Sequence, residues 1–118
     1  MQTFITVRHK NTLLARKVRV CDTFFLRTLG LMFRCSLASE EGILLVAHGE
    51  SIAQTGIHSF FVFFPFDAIW INEEKKVVDM KKVFPFRAFL SPKKPAKYVL
   101  EIAAGQSENL ALGDLVSF

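Results

Sequence analysis

Cysteine is nearly absent from this 118-residue chain: Cys21 and Cys35 are the only two, with no CxxC pair. They make no disulfide framework, and no histidine spacing beside them suits a metal. The sequence is therefore expected to hold no metal and no cofactor. Its thiols should be free and mostly buried, which favours a cytoplasmic location. Long apolar runs are lacking as well. None reaches the roughly 20 residues that a spanning helix needs, because His58, Pro65, Asp67 and Asn72 interrupt the one candidate. The opening residues MQTFITVRHK lack a charged start followed by an apolar stretch, so neither a signal peptide nor a membrane anchor is expected. Also missing are a nucleophile elbow, a phosphate-cradling glycine loop and an HExxH pair, which sets aside the commonest hydrolase, nucleotide-binding and metalloprotease signatures.

What is present is phenylalanine. Thirteen occur, and hydrophobic residues make up 51% of the chain. Such a chain can offset its ordering entropy and fold as a single domain over residues 1–118. The formal charge of +4 comes from separate clusters, Arg16-Lys17-Arg19, Lys75-Lys76, Lys81-Lys82 and Lys93-Lys94. Scattered lysines usually mark solvated loops and protected strand edges. Nucleic-acid binding is disfavoured, since no recognised binding motif accompanies the charge.

The stretch Ile57 to Asn72, IHSFFVFFPFDAIWIN, is the densest in aromatics and reads as two core strands broken at Phe64-Pro65-Phe66-Asp67. Proline removes a ladder donor and aspartate favours turns, so a hairpin is expected. Pairing Phe63 with Ala68 sets Phe61 opposite Trp70. Both faces would then be mostly apolar, as in a central strand pair covered on two sides. His58 and Asp67 would lie at opposite ends of the hairpin, too far apart to touch.

Before that stretch, Phe4 to Val7 and Leu13 to Cys21 alternate around His9-Lys10-Asn11 and predict a first hairpin with a basic solvent side. Asp22-Thr23 offers an N-cap, Phe25, Leu29, Met32 and Phe33 recur at helical spacing, and Gly30 supplies a stop. Ile43 to Ala47 reads as a short buried strand, and His48 to Gly56 as a polar loop able to line a pocket. After it, Lys76 to Val83 reads as an edge strand. Three prolines make residues 84–95 irregular, with Arg87 placed to lie over Phe86 and Phe89. Lys97 to Ala103 is a clear strand, and Leu115 to Phe118 a last one. Glu101 sits among apolar residues on its own strand face. An ionised carboxylate there would be costly unless paired, so Arg34, Arg87 or His58 is expected beside it.

Blocks spread along the chain, GLMFR (30–34), EGILLV (41–46), IHSFFVFFPFDAIWIN (57–72), Val77-Val78, YVLEIAAG (98–105) and GDLV (113–116), together resemble the bacterial and archaeal family named domain of unknown function 192. The resemblance implies a small, mainly antiparallel β domain with short helical segments and brings no established activity. Arg34, His58, Asp67, Glu101 and Asp114 match the family's polar positions. Val62 stands where a methionine is common, and Phe61 where a small residue is frequent. Many relatives appear with export signals, which this chain lacks.

The fold expected is mainly β, a compact antiparallel β-sandwich or barrel of about seven to nine strands with one or two short helices. The function expected is that of a noncatalytic binding module for a small ligand or protein partner, with Arg34, His58, Asp67, Glu101 and Arg87 as candidate binding residues. The alternative is a small enzyme of hydrolase or lyase type, with His58 or Glu101 as base and Arg34 stabilising an anion. A homo-oligomer associating through a phenylalanine-rich face or an edge strand also stays open.

Overall fold

The structure is a computed structural model that describes residues 3–118, with Phe24 and Phe25 described by their backbone alone. The first hairpin forms as the alternation predicts. Strands β1 (Phe4–His9) and β2 (Thr12–Cys21) pair antiparallel. Lys10 and Asn11 turn the chain, both at positive φ (49° and 62°), the conformation that matches a two-residue turn to the strand twist. Helix α1 (Phe24–Leu29) follows. The Thr23 hydroxyl accepts from the Leu26 N–H, and Gly30, at φ 46°, closes the helix by donating to the Leu26 carbonyl. Met32 and Phe33 lie beyond its end, so the helix is shorter than their spacing suggests.

β3 runs from Glu41 to Ser51, four residues past the expected end, and absorbs His48, Gly49 and Glu50 from the presumed loop. A 3-10 turn at Ala53–Thr55 comes next. β4 (Phe66–Ile71), β5 (Val77–Val83) and β6 (Ala96–Ala103) complete one six-stranded sheet in the order β1-β2-β3-β6-β4-β5. β2 and β3 run parallel, joined by the crossover that carries α1, while the other four pairings are antiparallel.

The sheet is open, which corrects both the barrel and the expected strand number. Two expected strands do not form ladders. Leu115 to Phe118 makes only isolated bridges, Leu115 to Lys76 beside β5 and Ser117 to Arg8 in β1. Ile57 to Phe63, the first arm of the expected central hairpin, makes one isolated bridge among the described residues, Ile57 to Leu90, with Ser59 bonding the Phe86 and Arg87 backbone beside it. The pairing of Phe61 with Trp70 is therefore wrong. β4 is flanked instead by β6 and β5, with Trp70 opposite Val99 and Asp79. The first arm turns at Phe61, whose φ of 58° is incompatible with a strand.

Each face of the sheet carries its own core. Cys21, Ile43, Leu45, Phe66, Ala68, Trp70 and Val99 pack on the α1 side with Leu31, Ile57 and Val62. Val7, Val18, Leu44, Ile69, Ile71, Leu100 and Ile102 fill the other side with Leu110 and Val116. All six β4 residues are buried. That element is covered on two sides, as the apolar run requires.

Candidate functional site

Ser59 organises the loop after β3. Its hydroxyl donates to the Phe84 carbonyl (2.6 Å) and accepts from the Arg87 N–H (2.7 Å). Its backbone N–H donates to the Arg87 carbonyl, and its carbonyl accepts from Phe86. The loop is held away from the sheet, and a cavity of about 380 Å³ opens between them, within the range of small-molecule sites. Leu29, Leu31 and Met32 wall it from the helix side, Leu45, Ala47 and Val99 from the sheet, and Ile57 and Val62 from the loop. Thr55 roofs it while its carbonyl accepts from the Trp70 indole N–H (2.7 Å).

Glu101 is the polar group at the base of this cavity. Lateral register sets it in one row with Arg19, Ile43 and Ala68. The residue is buried (4% exposed), and burial pushes its carboxyl pKa up to about 8. The carboxyl has no hydrogen-bond or ion-pair partner among the described residues. The cation expected beside it is thus missing among the described residues. Arg19 is separated from it by a whole strand, roughly 10 Å at the backbone, and turns instead to the Gly30 carbonyl (3.1 Å). Its buried Nε is left without a hydrogen-bond partner among the described residues. A neutral, protonated carboxyl is the form that burial favours when no cation is near.

Of the five candidates, His58 and Glu101 both line the cavity, and the other three do not. Arg34 pairs with Glu41 (3.4 Å) beside the turn that precedes β3. Asp67 is buried and accepts from Gly105 N–H, Ser107 N–H and the Ser107 hydroxyl, pinning the turn that follows β6. Arg87 is exposed and lies over the Phe84 ring, not over Phe86 and Phe89. Arg34, His58 and Glu101 do not converge. Asp114, the other family-typical acid, accepts from the Ala111 N–H and meets His9 Nε2 at 2.8 Å. Those contacts, the Ala111 hydrogen bond foremost, hold its carboxyl below the usual range.

His58 accepts from the Phe60 N–H at Nδ1 (3.1 Å), which assigns the neutral ring its proton on Nε2. Arg27 also lines the cavity, with Nη1 donating to the Val46 carbonyl (3.3 Å). It was not singled out in the sequence. The only sign was a basic residue in the last turn of a short helix, which equally suits the helix dipole. Gln54 of the polar loop reaches the cavity, whereas Glu50 caps the Glu73 N–H elsewhere (2.8 Å). Cys21 is buried, and that burial pushes its thiol pKa up, whereas Cys35 is exposed. Among the described residues no group of three or more His, Cys, Asp or Glu could hold a metal ion, and no helix is long and apolar enough to cross a membrane.

Known proteins share this arrangement of elements. A protein of unknown function from Novosphingobium aromaticivorans matches with a TM-score of 0.86 at 22% identity, over 99% of this chain and 85% of that one. A Sinorhizobium meliloti protein proposed to be a transcription regulator matches with a TM-score of 0.83 at 20% identity, over 99% and 93%. At these identities the likeness shows the fold alone. A UPF0127 protein of Thermococcus kodakarensis is 35% identical over 104 residues, 86% of this chain and 64% of its own. The chain thus spans just under two thirds of that relative's length. The family model DUF192, described as an uncharacterized ACR, matches residues 5–118. On that match, the chain belongs to the uncharacterised DUF192 family.

Proposed function

We propose that this chain acts as one domain and as a noncatalytic binding module, and that its ligand is a small, mainly apolar molecule seated over Glu101. The observation that carries this reading is a buried, unpartnered carboxyl at the base of a cavity whose walls are mainly apolar, with Arg27, Gln54, Thr55 and His58 as its other polar lining. A protonated carboxyl offers one donor and one acceptor side by side, the complement of a carboxamide or a second carboxylic acid. Apolar walls would supply affinity and the few polar groups, Glu101 at the base foremost, would orient the ligand. Two unpaired cysteines, one of them exposed, support a reducing compartment such as the cytoplasm.

A thermal-shift screen of small apolar carboxamides and carboxylic acids tests the reading. A binder should lose about tenfold or more in affinity on Glu101→Leu, which removes its hydrogen bonds. Equal binding by both proteins would rule Glu101 out as the anchor.

One observation favours a second reading, an enzyme of hydrolase or lyase type: His58 and Glu101 line the same cavity. Arg27, not Arg34, would then stabilise negative charge. Glu101→Gln separates the two readings. A base would lose turnover by about 100-fold or more, while a binding anchor would retain affinity for neutral ligands.

A further inference from the structure

Beside the cavity mouth lies a surface that the binding reading does not use. Phe33 stacks on Phe61 (ring centroids 5.3 Å apart), and both Phe61 and Phe63 meet Phe86 edge-on (6.2 and 5.7 Å). All four rings are exposed, by 47–63%. Three of the four residues sit at positive φ: Phe33 at 65°, Phe61 at 58° and Phe86 at 61°. Bulky residues rarely adopt that conformation, and it persists only where surrounding contacts impose it. Here they do: the Phe33 N–H donates to the Phe61 carbonyl, and the Phe86 N–H to the Ser59 carbonyl, both at 2.8 Å. Backbone strain is thus held in place at three residues whose rings face water.

The segments that carry Phe61, Phe63 and Phe86 are free of acid, while on the Phe33 side Arg34 pairs with Glu41. Residues 51–66 contain no acidic residue, and residues 80–100 contain six Lys or Arg and no Asp or Glu. Lys82 and Arg87 flank the exposed Phe84 ring at 5.7 and 6.0 Å. We infer that the Phe33-Phe61-Phe63-Phe86 cluster is a peripheral docking surface for an anionic lipid bilayer. The rings enter the boundary between headgroups and acyl chains, and Lys82 and Arg87 meet lipid phosphates. Stacked nucleic-acid bases are the competing occupant, which the oligonucleotide arm of the test decides. The surface does not suit a second copy of the chain, which would bring like charges together.

Flotation with phosphatidylcholine vesicles, with and without phosphatidylglycerol, tests the inference on the intact chain. The protein should float with the anionic vesicles and less with the neutral ones. Phe61→Asn combined with Phe86→Asn should lower partitioning about tenfold or more. Asparagine tolerates positive φ, so this variant should melt no lower than the parent, and its loss of binding would not reflect unfolding. Lys82→Glu with Arg87→Glu should weaken binding to anionic vesicles about tenfold and leave the neutral ones unaffected. The inference is overturned if the parent floats with neither vesicle. It is equally overturned if the asparagine variant floats as well as the parent, if the parent ignores lipid but binds a single-stranded oligonucleotide, or if it dimerises through these rings without lipid.

Discussion

Phe63 and Phe66 stand three positions apart in one aromatic run, yet Phe63 is 55% exposed and Phe66 fully buried. The difference between the two halves of that run is backbone partnership. From Phe66 to Ile71 every residue lies in β4, laddered to β6 on one side and β5 on the other. From Ile57 to Pro65 the described residues make one isolated bridge, the hydrogen bonds centred on Ser59 and the bond from the Phe33 N–H to the Phe61 carbonyl. Aromatic density therefore did not decide burial. In the half without a ladder Ile57, Ser59 and Val62 still turn inward while Phe60, Phe61 and Phe63 face water, so the irregular backbone sorts its side chains one by one.

The comparison can be broken most forcefully at Phe66. Phe66→Ala should cost about 3–5 kcal/mol in urea unfolding, whereas Phe63→Ala should stay within about 0.5 kcal/mol. Equal costs would mean that the loop half is as well packed as the strand half. Glu101 gives the next effect. Its folded pKa of about 8 lies above the ordinary carboxyl value of 4.5, so between those limits the folded chain keeps a proton that the unfolded chain releases. Stability should therefore fall as pH rises from about 4.5 to about 8 and level off beyond. Glu101→Gln should flatten that slope and stabilise the protein at pH 9 by on the order of 2–4 kcal/mol, read from unfolding curves across pH. A slope unchanged by the substitution would assign the proton elsewhere. Ser59→Ala should cost about 1–3 kcal/mol, because the Arg87 N–H and Phe84 carbonyl lose a buried partner. A near-neutral result would show the loop fastened by its other contacts. Smallest is Phe61→Asn, which should raise stability by about 0.5–1 kcal/mol through relief at φ 58°; a loss in calorimetry would mean that ring stacking outweighs the strain.

Much of the sheet was legible in the sequence. Alternation located β1, β2, β5 and β6 within a few residues, and Thr23 identified itself as a cap. The site was half legible. Glu101 stood out as a carboxylate on an apolar strand face, but the rule that such a group finds a cation presumes a filled surrounding. With a cavity beside it and Arg19 one strand too far away, holding a proton is the cheaper solution. Arg87 was nominated by residue type, and Arg34 by residue type and its match to the family's polar positions; nothing in local pattern could tell that loop geometry turns them to Phe84 and Glu41. The loop itself was misread because a continuous apolar run carries no periodicity to separate a buried strand from a displayed turn.

The chain has a single tryptophan, and its indole is tied to the backbone of the turn that roofs the cavity. Ultraviolet emission from this protein consequently has one dominant source, in a position that any guest lifting or settling that roof would disturb. The molecule carries its own fluorescent gauge of occupancy, with no label to attach.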